Sequence, residues 1–93
     1  MKTIIYEWVI ETINSEGEIV DVNFSDTKPD INQIKVEEGN KIEIALVRDN
    51  YSDGHERLWA YLDEKGNLPE YFEDAYGNLM QKVPKKYLKD NIK

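Results

Sequence analysis

The chain's only histidine, His55, follows a stretch of oxygen-bearing side chains, which is where a metal site or an acid–base group would first be sought. A calcium loop starting at Asp49 would place Tyr51 and Asp53 at ligand positions, but its twelfth position, which should hold a glutamate, is Ala60. A zinc-binding helix would need a second histidine four residues after His55, where Trp59 stands. We therefore expect no metal and no cofactor.

Nucleophilic catalysis has little support. The serines Ser15, Ser25 and Ser52 lie in polar, turn-like clusters, where capping explains them. The absence of cysteine excludes thiolate catalysis, and the isolated glycines do not form a phosphate-binding loop. Nineteen acidic residues make any chosen carboxylate pair uninformative. We expect a protein that is not an enzyme and has no catalytic residue.

Aromatic side chains in adjacent predicted strands, together with acidic side chains in or beside the loops, form the best candidate for a binding surface. Each group also has a plainer explanation. The aromatic residues, which include Phe72 and Tyr76, would simply pack in the core and at the sheet edge, and the acidic residues would be ordinary solvated charges in loops. An aromatic cluster with an acidic rim would instead be typical of a surface that steers and binds a basic protein. The candidate binding residues are Asp49, Asp53, Glu56, Trp59, Tyr61, Glu70, Tyr71, Glu73 and Asp74.

Charge is unevenly distributed along the sequence. The net charge of −7 disfavours direct nucleic-acid binding, which needs cations to replace phosphate counterions. Residues 1–81 carry −11 and residues 82–93 carry +4, which sum to that value. The segment 84–93 is thus a candidate basic C-terminal extension, which we expect to lie against the acidic body.

The elements that would position these residues are mainly strands. Ninety-three residues suit one domain spanning 1–93. Ile4–Glu11 and Ile42–Val47 alternate with the period of two that is typical of strands, and a turn at 14–17 predicts a hairpin with the run ending at Phe24. The fold class is therefore mainly β, with a β-rich α+β fold possible. We expect an antiparallel meander or a small open barrel, and a short helical segment near 30–36, at the C-terminus, or at both places.

Residues 49–54 read as a polar loop, and Pro69, inside a short strand over 68–72, predicts an edge strand. Self-association through that edge would make a weak homodimer; otherwise we expect a monomer. The N-terminal residues Met1–Ile13 have neither the apolar core of a signal peptide nor a membrane span, so we expect no membrane association and a cytoplasmic location.

Several segments together resemble small accessory proteins of phages and prophages. The resemblance is carried by 6–11, 19–22, 46–49, 59–61, 66–72 and 82–87, which together span most of the length of the chain. It brings no activity with it. It implies a bacterial or phage cytoplasmic setting and a small protein that acts by binding a host or phage protein.

These observations predict a non-enzymatic protein-interaction module, with an inhibitor that occupies a basic site on a host protein as its sharpest form. Two other classes stay open. One is a small-ligand or nucleotide-binding β-module, with Trp59, Tyr61 and Tyr71 lining a concave face. The other is a structural component that self-associates.

Overall fold

One six-stranded antiparallel sheet contains about half of residues 3–51 and 56–88, the parts of the chain that the computed structural model describes. Its spatial order is β2-β1-β3-β4-β5-β6. A short 3₁₀ turn lies between β2 and β3, and a short helix, α1, follows β6. The bounds are β1 Ile4–Ile13, β2 Ile19–Ser25, the 3₁₀ turn Ile31–Gln33, β3 Lys41–Asn50, β4 Glu56–Tyr61, β5 Tyr71–Glu73, β6 Leu79–Lys82 and α1 Lys85–Leu88.

The predicted mainly-β class and both predicted helical segments are confirmed. The sheet is not a simple meander, however, because the connection over 26–40 carries the chain from β2 across to the far side of β1. β1 therefore pairs antiparallel with both β2 and β3 and is an interior strand. β2 is left as one edge of the sheet and β6 as the other.

Three turns, at 14–18, 63–67 and 74–78, are built in the same way. In each, the side chain of the first residue accepts hydrogen bonds from the third and fifth backbone N–H groups, as Asp74 does from Tyr76 and Asn78 at 2.8 and 3.0 Å. The fourth residue is a glycine at positive φ, for example Gly77 at 83°. A residue with a Cβ is strained in that conformation, so the glycine is what lets the chain reverse.

The core lies on one side of the sheet, which we call the core face. Register pairs Trp8 with Leu46 and Leu46 with Ala60, so the alternating residues of three adjacent strands point the same way. Tyr87 of α1 packs on this face, with its ring centroid 6.4 Å from that of Trp8. The buried cluster is Trp8, Ile44, Leu46, Leu58, Ala60, Leu68, Phe72 and Val83.

The opposite side of the sheet, the Tyr61 face, carries the other alternating set. Val9 pairs with Ala45 and Ala45 with Tyr61. Ala45 is only 1% exposed there, although it lies outside the main core cluster. This face also carries Glu7, Glu11, Ile13, Glu43, Val47, Asp49, Arg57, Trp59, Tyr71 and Glu73.

Two local predictions are wrong. Asp49 is not in a loop: β3 continues to Asn50, and Asp49 is buried beside Arg57. The cation opposite it in β4 makes a buried carboxylate acceptable in the strand. Pro69 is not in an edge strand, because β5 begins only at Tyr71. No helix in the described part of the chain is both long and apolar enough to span a membrane.

Candidate functional site

Tyr61 spans three strands of the sheet. It is the last residue of β4, and its hydroxyl donates a hydrogen bond to Oε1 of Glu11 on β1 at 3.1 Å. Ala45, on the intervening strand β3, pairs with Tyr61 and has a side chain small enough for the ring to pass over it. The small residue on β3 therefore lets β4 and β1 interact on this face.

Carboxylates surround the Tyr61 hydroxyl. Burial, followed by the negative charges of Glu11, Glu43 and Glu73, raises the pKa of Tyr61 from 10.0 to about 12. The hydroxyl is therefore protonated at neutral pH, where it acts as a hydrogen-bond donor. The same three charges create a negative potential around the ring.

Trp59 extends this site towards β5. It is half-buried, and register pairs it with Val47 on β3 and with Glu73 on β5. Since Val47 in turn pairs with Glu7 of β1, carboxylates lie on the strands to either side of the two aromatic rings. We call this set the acidic aromatic patch: Glu7, Glu11, Glu43, Trp59, Tyr61 and Glu73.

Little of the patch's negative charge is neutralised by neighbouring cations. Within residues 3–51 and 56–88, the one ion pair of the patch joins Lys41 Nζ to Glu43 Oε1 at 3.6 Å. Both side chains are largely exposed, at 67% and 42%, so their attraction is screened by water and salt. The patch can therefore accept a cation from outside.

Five of the predicted binding residues share the Tyr61 face: Asp49, Trp59, Tyr61, Tyr71 and Glu73. Tyr71 lies beyond the patch and beneath Lys82, whose Nζ is 6.0 Å from the ring centroid. The predicted aromatic residues do not all lie on one surface. Phe72 is fully buried in the core, and Tyr76 is 90% exposed in a turn.

The other predicted acids do not join the patch. Asp49 is 4% exposed and accepts a hydrogen bond from Arg57 Nε at 2.8 Å, which raises the pKa of Arg57. Glu56 Oε1 lies 3.7 Å from Arg48 Nη1. The Asp74 carboxylate accepts hydrogen bonds from backbone N–H groups of the 74–78 turn.

Glu70 is exposed, and its backbone oxygen accepts a hydrogen bond from Val83 at 2.9 Å. Asp53 lies outside the described residues, as do His55 and the end of the predicted basic segment. The described part of that segment forms α1, and Lys86 Nζ lies 5.0 Å from the centroid of the Tyr87 ring.

Sequence reasoning missed Glu7, Glu11 and Glu43. Each lies in a strand whose alternation was recognised, but the patch forms only because β3 lies between β1 and β4. A hint was available: Glu7 and Glu11 interrupt the apolar residues of β1 at a spacing that places both on one face.

Two concavities flank the sheet. A shallow cleft at the end of the patch is lined by Trp59, Tyr61, Glu73, Asp74, Ala75 and Gly77. A larger cleft of about 750 Å³ lies between the 28–32 segment and the 62–66 turn, over Ile42 and Ile44. Lys28 Nζ bridges its walls by donating a hydrogen bond to the Gly66 carbonyl at 2.8 Å.

Among the residues described, no cluster of three or more histidine, cysteine, aspartate or glutamate side chains is arranged to hold a metal ion. The chemistry that the patch offers is therefore that of a hydrogen-bond donor and two aromatic rings beside carboxylates. Comparison with family models, curated proteins and solved structures gave no match.

Proposed function

We propose that this chain is a non-enzymatic protein-interaction module whose acidic aromatic patch binds a basic segment of a partner protein. The observation that carries the proposal is that Glu11, Glu43 and Glu73 surround Tyr61. Their negative charges help raise the pKa of Tyr61 to about 12. Three carboxylates beside one ring favour a cation over any neutral or negative ligand.

The patch offers two interactions to an arginine or lysine side chain. Its cationic head can lie over the half-buried ring of Trp59 while pairing with Glu73 on the neighbouring strand. A second cation can pair with Glu11, whose hydrogen bond with Tyr61 already fixes the carboxylate. One anchoring point lies on β4 and β5 and the other on β1, with β3 between them, a separation that suits an extended or helical basic segment.

The Tyr61 hydroxyl suits binding better than catalysis. With its pKa raised to about 12, it stays protonated at neutral pH and is a poor general base. The resemblance to phage and prophage proteins supports a host protein in the bacterial cytoplasm as the partner. Occupation of a basic site by this acidic chain would block that site, which is how a small inhibitor acts.

A ligand-binding module is the second candidate, because the cleft beside Trp59 and Tyr61 is concave and partly aromatic. It differs from the first candidate in its expected response to charge. A neutral ligand held by stacking would bind equally well after the carboxylates were neutralised, whereas a basic peptide would not.

An arginine-rich peptide of alternating arginine and glycine provides the test, with binding followed by tryptophan fluorescence. Trp8 is 3% exposed in the core and serves as an internal reference, so Trp59→Phe should abolish the change in emission. The patch variant Glu11→Gln/Glu43→Gln/Glu73→Gln is compared with the control Glu37→Gln/Glu38→Gln/Glu64→Gln, which has the same net charge and alters exposed residues elsewhere.

We expect the patch variant to bind at least about tenfold more weakly than the control, corresponding to the roughly 1.4 kcal/mol that a few screened charge pairs supply. Binding of the unaltered chain should weaken as salt rises. Equal losses in the two triple variants would show that only net charge matters, and would refute the patch.

A further inference from the structure

β2 is an unusually apolar edge strand. Six of its seven residues are exposed, and Ser25 is half-buried. Four are large and apolar, with exposed fractions of 54% for Ile19, 54% for Val20, 42% for Val22 and 61% for Phe24. A long edge strand with this composition offers free backbone hydrogen-bonding groups beside apolar side chains, which is what another strand needs in order to pair.

The two edges of the sheet differ in protection. β6 has four residues, ends at Lys82 and is followed within two residues by Pro84, which are features that discourage pairing. β2 contains no proline, and Asp21 is its one charged residue. If a strand is added to this sheet, β2 is therefore the edge that receives it.

The sequence of β2 is complementary to itself in the antiparallel direction. A two-fold axis through Val22 would pair Val22 with its copy and Asp21 with Asn23, while Val20 lies where the register of β2 shifts. Register places Val22 and Phe24 on the Tyr61 face, so the central pair of valines would lie on that face. Asn23 Nδ2 already donates to Asp21 Oδ2 at 3.0 Å within one chain, which shows that these two side chains suit each other.

We propose that two copies of this chain associate through antiparallel β2–β2 pairing centred on Val22, which joins their sheets into one. The arrangement is closed, because each copy uses the same edge and no second copy of that edge remains. A second copy suits this edge because pairing centred on Val22 places Asp21 of each copy opposite Asn23 of the other, so that no like charges meet at the centre of the interface.

The dimer and the binding of a basic partner respond to salt in opposite directions. Each copy carries −7, so the two repel, and screening that repulsion strengthens the dimer. One strand pair buries a small interface, so we expect dissociation on the order of micromolar concentration. Failure of either proposal is therefore distinguishable from failure of the other.

Single cysteines test the pairing directly, since the chain has none of its own. Residues opposite each other in antiparallel strands have Cα atoms about 4.5–5.5 Å apart, within the range that a disulfide spans. Val22→Cys should therefore cross-link to its copy under mild oxidation. Val20→Cys is the register control, because the two introduced thiols would be offset by four residues, or roughly 14 Å.

Val36→Cys is the control for exposure, since Val36 is 43% exposed against 42% for Val22. We expect Val22→Cys to cross-link about tenfold faster than either control, because paired strands raise the local thiol concentration. Equal rates in the three variants would overturn the proposal.

Sedimentation equilibrium provides a second readout on chains without cysteine. The unaltered chain should approach twice its monomer mass as concentration and salt rise. Val22→Lys, which places like charges opposite each other at the axis, should stay monomeric, and Val36→Lys should behave as the parent does. A parent that stays monomeric, or that grows beyond a dimer, would contradict the closed pairing.

Discussion

The hydroxyl of Tyr61 donates a hydrogen bond to Glu11 at 3.1 Å, and this bond joins β4 to β1 over the top of β3. Hydrogen bonds between adjacent strands hold any sheet together. A side chain on β4 that bonds to β1, across the intervening strand β3, also restrains the twist of the sheet. The same bond fixes one carboxylate of the acidic aromatic patch. The stability of this region and the proposed binding should therefore change together.

Alkaline pH should weaken the fold through Tyr61. Burial and neighbouring carboxylates raise its pKa in the folded chain from 10.0 to about 12, so folding favours the neutral hydroxyl. The stability this provides is fully present below pH 10 and is lost as the pH rises towards about 12. Urea unfolding from pH 8 to 12 should show this loss, and Tyr61→Phe should reduce it.

Tyr76→Phe is the matched control for that experiment, because Tyr76 is 90% exposed in a turn. Its unfolding should follow the parent's pH dependence. If Tyr61→Phe and Tyr76→Phe lost stability with the same slope above pH 10, the carboxylates would have no special effect on Tyr61.

Enlarging Ala45 should displace the Tyr61 ring. Ala45 is 1% exposed beneath it, and the extra methylene groups of Ala45→Leu would occupy the space over which the ring passes. We expect a loss of about 1–3 kcal/mol in the free energy of unfolding, together with weaker peptide binding. Ala75→Leu, in an exposed turn, is the control for stability and should leave the free energy of unfolding unchanged. Unaltered stability in Ala45→Leu would mean that the ring does not rest on Ala45.

Truncation of the buried Phe72 should strongly destabilise the fold. It is fully buried, and its ring centroid lies 6.1 Å from that of Tyr6 on the core face. Phe72→Ala should lower the free energy of unfolding by about 3–5 kcal/mol, since it leaves a cavity in a small core. Tyr76→Ala removes an aromatic ring of comparable size from the surface and should cost far less. Chemical denaturation of both variants checks the difference.

The Asp74 turn should contribute to acid sensitivity. Hydrogen bonds from Asn78, and then from the turn's backbone, lower the pKa of Asp74. The turn's stabilisation is therefore present above the carboxyl's ordinary pKa and is lost as the pH falls through the lowered value. Asp74→Asn should keep the turn, because Asn14 does the same work in the first one, and should make unfolding less dependent on acid.

Asp74→Ala removes both acceptors and should destabilise the hairpin at neutral as well as acidic pH. Thermal unfolding at pH 3 and pH 7 distinguishes the two variants. If Asp74→Asn were as acid-sensitive as the parent, another carboxyl would be responsible.

Much of the fold was predictable because the period of two in the sequence is strong. Trp8, Ile44 and Leu46 belong to segments with that period, and all three are buried on the core face. The hairpin turn at 14–17 was predictable for a local reason: its asparagine and glycine suit one chain reversal.

The rest depended on strand order, which local patterns do not contain. Asp49 was expected in a loop because it is charged, and only its partner across the ladder, Arg57, explains its burial in β3. Likewise Glu11 and Tyr61 are 50 residues apart in sequence, and nothing local links them. Trp59, Tyr61 and Glu73 were predicted as binding residues, but not the β1 and β3 carboxylates that complete the patch.

The three similar turns also bear on the order in which the chain folds. Each closes its own hydrogen bonds within five residues, so the β1–β2 and β5–β6 hairpins can form without waiting for distant contacts. The β1–β3 ladder, in contrast, must close the loop over 26–40. We expect hairpin formation to precede that closure, so that substitutions in the turns at 14–18 and 74–78 slow folding more than they speed unfolding.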